Sequence, residues 1–170
     1  MKTDELRALQ APLKERYRES AASAVLTLRA RGSLGCETLT CKVDTGRALV
    51  EAGLHPATGG TGLAVCSGDM LLEALTACAG VTLTAVATAL GVPITGGTVT
   101  AEGDLDFRGT LGVVKDAPVG FRAIRLHFGL EGAASPEQVA RVLELTERYC
   151  VVYQTLRNSP SLAITHTVSG

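Results

Sequence analysis

One segment, residues 70–90, constrains the fold more than any other part of this chain. It is apolar on nearly every side, and Glu73 is its one charged residue. Its length would allow a membrane span, but its four threonines, many alanines and one glutamate favour a helix at the centre of a soluble fold. Ser67 or Asp69 would cap this helix at its start, and Gly91 would end it.

A helix this apolar needs cover on every side. Five or six strands from a chain of 170 residues would leave part of it exposed. Two such helices that share one core would supply the missing cover, so we expect a homodimer.

The composition excludes several classes of partner. The chain has 16 Lys and Arg against 17 Asp and Glu, no tryptophan and only 4% aromatic residues, so we expect no nucleic-acid partner. The first residues carry acidic charge and no apolar run, so they do not form a secretory signal. No second span accompanies residues 70–90, and we expect no membrane partner.

The five cysteines are an odd number and form no Cys-x-x-Cys pair. This pattern does not indicate a disulfide framework or a zinc site, and the three scattered histidines suggest no metal motif. The glycines near residue 60 lack the spacing of a phosphate-binding loop. We therefore expect no cofactor and no metal, and a location in a reducing cytoplasm.

The other patterns predict short helices and alternating strands in an α+β fold with antiparallel sheets. We expect a helix over residues 3–19, kinked or divided into two pieces at Pro12. Residues 24–31 and 39–43 are predicted to form a hairpin with a turn at 32–35. Two further strands are predicted over residues 98–107 and 123–130, and a last strand over 162–168. Ser135 to Gln138 is a capping box that begins a later helix. The chain divides into an N-terminal helical extension, 1–21, and one domain, 22–170.

Cys78 and Cys150 are the two residues with candidate chemistry. Cys78 lies in the middle of the central helix, and Cys150 lies on the apolar stripe of the later helix. Both could be buried cysteines that pack as small hydrophobic side chains. They could also be reactive thiols, but only if the two helices cross so that the sulfurs meet, which the spacing does not decide.

The segments around these cysteines resemble the OsmC/Ohr family, the osmotically inducible and organic-hydroperoxide-resistance proteins. GDMLLEALTACAGVTLTAVATALG, residues 68–91, is similar to the central helix of that family, and ERYCVVYQTL, residues 147–156, to the segment with its second cysteine. GDLDFRGTLG and GFRAIRLHFGL, between them, resemble its two strands after the central helix. The resemblance covers about residues 22–168.

This resemblance implies an intertwined homodimer with antiparallel sheets around long buried central helices and active sites at the subunit interface. It implies a peroxiredoxin-like, thiol-dependent peroxidase that reduces organic hydroperoxides. Cys78 would be the peroxidatic thiol, which becomes a sulfenic acid, and Cys150 would be the resolving thiol, which forms a disulfide with it. An external dithiol would then reduce that disulfide.

The family's other site residues are a carboxylate and an arginine, which together would stabilise the thiolate. Asp69, nine residues before Cys78, corresponds to the carboxylate. Arg31 is the expected arginine, with Arg29 and Arg47 as rivals. An alternative is an apolar small-ligand binding protein of the same fold in which the cysteines are structural.

Overall fold

The computed structural model describes residues 3–35, 40–43, 52–63 and 65–168, and it leaves the side chains of residues 3–7, 9–10, 27–35, 40–43 and 52 undescribed. Within these residues the chain alternates short strands and helices. The helices are α1 (Thr3–Glu19), α2 (Ser67–Leu90), α3 (Phe107–Thr110), α4 (Pro136–Tyr149) and α5 (Val151–Arg157). The strands are β1 (Val25–Gly35), β2 (Thr40–Val43), β3 (Ala52–Gly53), β4 (Val65–Cys66), β5 (Ile94–Asp106) and β6 (Phe121–Gly132). Single 3₁₀ turns occupy Ala21–Ala24 and Pro56–Thr58.

The main sheet has four antiparallel strands in the order β2-β1-β5-β6, which confirms the predicted α+β class. The predicted hairpin of β1 and β2 is present, but the turn expected at residues 32–35 is wrong. Gly32 pairs with Val43 of β2 and with Val99 of β5, so β1 continues through it. Hydrogen bonding to a strand on each side overrides the turn preference of these glycines. A separate parallel pair, β3 and β4, precedes α2.

Helix α2 forms the centre of the domain, as predicted. Its inner face is fully buried, and Leu72, Leu75 and Leu83 are among the least exposed side chains described. By length and composition α2 could cross a membrane, and it is the one helix of the described chain that could. Half of its most apolar stretch is buried inside the protein, as expected for a core helix.

The outer face of α2 is exposed in the described part of this chain. Met70, Ala74, Val81 and Ala85 follow each other at helical spacing and are all exposed. The single chain therefore covers one side of its most apolar helix and leaves an apolar stripe on the other.

At the chain ends, the expectation of two helical pieces at Pro12 and the predicted last strand are wrong. Helix α1 runs through Pro12 as one element, because Pro12 is exposed and water can satisfy the carbonyl that its missing N–H leaves free. Residues 161–168 form no strand, although Leu162, Ile164 and Val168 alternate as a strand would and are 84–98% exposed. No described strand of this chain pairs with that segment, so its alternating pattern has no sheet to join.

Candidate active site

The thiols of Cys78 and Cys150 lie in hydrogen-bonding contact. Cys78 is half-buried in the middle of α2, and Cys150 is 1% exposed at the junction of α4 and α5. Neither forms a disulfide. The helices thus bring together the two cysteines that the sequence could only name separately.

A break in the helix at Cys150 creates the environment of both sulfurs. The backbone of Cys150 is extended (φ −70°, ψ 107°), so α4 ends at Tyr149 and α5 begins one residue after the cysteine. The first amides of a helix have no partner within it. Here the Gln154 N–H donates to the Cys150 carbonyl at 2.9 Å, and the Tyr153 N–H donates to the Cys150 sulfur at 3.5 Å.

The other two amides of this first turn, those of Val151 and Val152, act on the thiol of Cys78. These N–H groups lower the pKa of this thiol. The hydroxyl of Thr82, one turn further along α2, and the thiol of Cys150 lower it as well. Four groups therefore surround one sulfur, and each can donate a hydrogen bond to its ionised form.

Contacts between α4 and α5 stabilise the helix break at Cys150. The side-chain amide of Gln154 donates to the Glu147 carbonyl at 2.7 Å, which satisfies an acceptor that the end of α4 leaves free. The carboxylate of Glu147 also pairs with Arg157. These contacts fix the direction of α5 and hence the positions of its first amides.

The two thiols have opposite pKa shifts. Burial raises the pKa of Cys78, but the hydrogen bonds from Val152, Cys150, Thr82 and Val151 outweigh it, so the net pKa is lowered. For Cys150, burial raises the pKa to about 11, together with the hydrogen bond to Cys78 and the charge of that thiolate. The proton therefore stays on Cys150 while Cys78 ionises first.

A cavity of about 230 Å³ opens beside Cys150. Its lining is mostly apolar and consists of Ala79, Leu126, Phe128, Leu143, Thr146, Glu147, Cys150 and Tyr153. Such walls favour an alkyl or aromatic group over a strongly hydrated one. Cys150 therefore borders a space suited to the organic part of a small molecule.

Asp69 does not lie beside Cys78 within this chain. Nine helical residues separate them, which corresponds to roughly 13 Å along the axis and to opposite sides of the helix. Asp69 interacts with His55 and Glu73 instead. Burial raises the pKa of Asp69, and the attraction of His55 opposes that shift.

The side chain of the expected arginine, Arg31, is not among those that the structure describes. The backbones of Arg31 and Arg29 lie in β1, paired with Thr100 and Glu102 of β5, and their side chains are outside the described ones. Arg47 lies outside the described residues. Among the side chains that are described, no guanidinium contributes to the lowered pKa of Cys78.

Sequence reasoning missed the hydrogen-bond donors to Cys78. Thr82 could have been found, because residues four apart on a helix are neighbours. The amides of Val151 and Val152 could not, since the apolar stripe that leads to Cys150 gives no sign that the helix breaks there.

We predict that Val151→Pro slows alkylation of Cys78 by iodoacetamide at pH 7 by roughly two- to tenfold, because it removes one N–H donor from the thiolate. Proline is tolerated at the first position of a helix, so α5 should persist. Peptide mass spectrometry across a pH series would measure the Cys78 rate. Val151→Ala keeps the N–H and should match the wild type; equal rates in the proline variant would show that this amide does not act on Cys78.

Comparisons with known proteins place the fold and the family. A model of the OsmC-like protein family matches residues 60–165. Among solved structures, an OsmC-like hydroperoxide resistance protein from Jannaschia sp. CCS1 is similar, with a TM-score of 0.60 and 17% identity, over 85% of this chain and 95% of that chain. At this identity the likeness concerns the fold. No curated protein matches the chain. Because the family model covers more than half of its length, the chain belongs to the OsmC-like family.

Proposed function

We propose that this protein is a thiol peroxidase that reduces organic hydroperoxides in a reducing cytoplasm. The contact between a low-pKa thiol, Cys78, and a high-pKa thiol, Cys150, carries this proposal. Membership of the OsmC-like family supports it, and so does the structural neighbour, whose name describes hydroperoxide resistance. The mostly apolar cavity beside Cys150 favours hydroperoxides with an organic group over hydrogen peroxide.

In the first step the Cys78 thiolate attacks the terminal oxygen of the hydroperoxide. A sulfur–oxygen bond forms, the oxygen–oxygen bond breaks, and the alkoxide leaves as the alcohol after it takes up a proton. Cys78 is oxidised to a sulfenic acid and the hydroperoxide is reduced by two electrons. The four donors around Cys78 keep its thiolate available for this attack.

In the second step Cys150 attacks the sulfenic sulfur of Cys78, water leaves, and a disulfide forms. The negative charge of Cys78 is one cause of the high pKa of Cys150, and the neutral sulfenic acid removes that cause. The first step therefore prepares the second thiol for its attack. An external dithiol then reduces the disulfide by exchange and restores both thiols.

A homodimer would complete the site. The exposed apolar stripe of α2 is the surface that a second copy would cover. Asp69 lies too far from Cys78 along its own helix, so any carboxylate of this residue at the thiolate would come from the second subunit. We assign the guanidinium that assists the thiolate to Arg31.

The alternative function is a binding protein that holds a small apolar ligand and uses its cysteines only for packing. The mostly apolar cavity beside Cys150 is the observation in its favour. The two functions differ in what one equivalent of oxidant does to the cysteines.

We predict that one equivalent of cumene hydroperoxide converts the reduced protein to a form with a Cys78–Cys150 disulfide, because these are the only thiols with a partner in contact among those described. Disulfide mapping by mass spectrometry checks this. Cys78→Ser should form no such bridge, and Cys66→Ser is the matched control that should still form it. Slow, scattered oxidation of all five cysteines would instead favour the binding protein.

We predict that Arg31→Ala lowers the rate of hydroperoxide reduction by roughly tenfold or more, because a guanidinium stabilises the thiolate and donates to the peroxide oxygens. Stopped-flow kinetics of the first turnover measures this, and Arg29→Ala on the same strand is the control. Normal turnover in Arg31→Ala would transfer the role to another arginine, with Arg47 the next to test.

We predict that the wild type sediments as a dimer at micromolar concentration and that Ala85→Lys sediments as a monomer, because the lysine places a charge in the apolar stripe of α2. Ala140→Lys makes the same change at an exposed position of α4 and should leave the dimer intact. Sedimentation of the wild type as a monomer would contradict the dimeric site.

A further inference from the structure

A second cavity lies at the start of α2, away from the thiol pair. Its volume is about 400 Å³, which is in the range of small-molecule sites. Cys66 and Leu71 line it at the start of α2, and Phe107 of α3, Val119 and Phe121 of β6 line it on the other side. Cys66 lies twelve residues before Cys78, which corresponds to roughly 18 Å along the axis of a helix. The cavity at the start of α2 is therefore separate from the Cys78 thiol.

His55 supplies this cavity with a hydrogen-bond donor. Its Nδ1 accepts the Ala57 N–H at 3.0 Å, so a neutral imidazole carries its hydrogen on Nε2. The imidazole stacks on Phe107 with ring centroids 4.9 Å apart and an angle of 18° between the planes. The structure records no acceptor for the Nε2–H in the described part of the chain. The cavity therefore has a flat aromatic wall with one donor in it.

The charges around this cavity favour a neutral ligand. Among the described residues, no lysine or arginine lines it. Burial lowers the pKa of His55, and the nearby Asp69 carboxylate opposes that shift. An anionic ligand would find no cation among the described lining residues and would face the charge of Asp69.

The N-terminal helix holds the histidine wall in place. The hydroxyl of Tyr17, in α1, donates to the Ala57 carbonyl at 2.6 Å, and Tyr17 is fully buried. The Thr58 hydroxyl donates to the His55 carbonyl at 2.9 Å. Both Tyr17 and His55 lie outside residues 60–165, which match the family model. The His55 side of this wall therefore lies in a part of the chain that the family model does not match, whereas Phe107 lies within the matched residues.

We propose that this cavity is a binding site for a neutral, planar organic molecule with a carbonyl or ether oxygen, which accepts a hydrogen bond from His55 Nε2. Its apolar part lies among Leu71, Val119 and Phe121, and its flat face lies against the His55–Phe107 stack. Neither Cys78 nor Cys150 lines this cavity, so the proposed ligand would not occupy the thiol pair of the same chain.

The test uses prodan, a neutral naphthalene ketone whose fluorescence moves to shorter wavelength in apolar surroundings. Titration of the full-length protein should give saturable binding with a blue-shifted emission. Val119→Lys, at a wall position that is 65% exposed, should weaken binding at least tenfold because it places a charge at the cavity. Leu63→Lys is the matched control: Leu63 is 76% exposed and does not line the cavity, so binding should not change.

Two further variants distinguish binding in this cavity from binding elsewhere on the protein. His55→Asn keeps a side-chain acceptor for the Ala57 N–H but removes the ring and its donor, so it should weaken binding severalfold. Cys78→Ser should bind prodan as the wild type does. Unchanged binding in Val119→Lys, equal loss in Leu63→Lys, or loss in Cys78→Ser would each overturn the proposed site, and the last result would move the dye to the thiol pair. Failure of the peroxidase proposal would leave all of these results unaffected.

Discussion

The candidate site depends on two amide groups that the break at Cys150 frees from helical hydrogen bonding. A continuous helix through this residue would place the N–H groups of Val151 and Val152 on carbonyls of the preceding turn. The extended backbone of Cys150 releases them, and both then lower the pKa of the Cys78 thiol. The contacts of Glu147 with α5 keep the break in one geometry. The chemistry of a thiol in α2 is thus set by the backbone of another segment.

Two opposing effects decide which sulfur is ionised. Burial disfavours a thiolate at either cysteine, because an apolar surrounding solvates the charge poorly. At Cys78 four hydrogen-bond donors overcome this effect, whereas at Cys150 the charge of the neighbouring thiolate adds to it. The same contact therefore lowers one pKa and raises the other. Such a pair has one nucleophile and one protonated partner, as a two-thiol peroxidase cycle requires.

Patterns within single elements predicted much of the fold. The apolar run that became α2 and the capping box at Ser135 were both readable, because each depends on neighbours in sequence. Features that depend on pairing between distant segments were not. The glycines of residues 32–35 lie within β1 because β2 and β5 flank it, and residues 162–168 remain exposed because no described strand pairs with them. For the site, sequence could name Cys78 and Cys150, and helical spacing also points to Thr82, but the amides of α5 could not be predicted.

The most direct test of this account is a titration of thiolate absorbance near 240 nm in a variant that keeps only Cys78 and Cys150, with Cys36, Cys41 and Cys66 changed to serine. The account predicts two separate steps, the first from Cys78 below the ordinary range of a cysteine and the second from Cys150 near pH 11. A single step in which both thiols ionise together at the ordinary value would contradict it, because the sulfurs would then neither share a hydrogen bond nor receive the amides of α5.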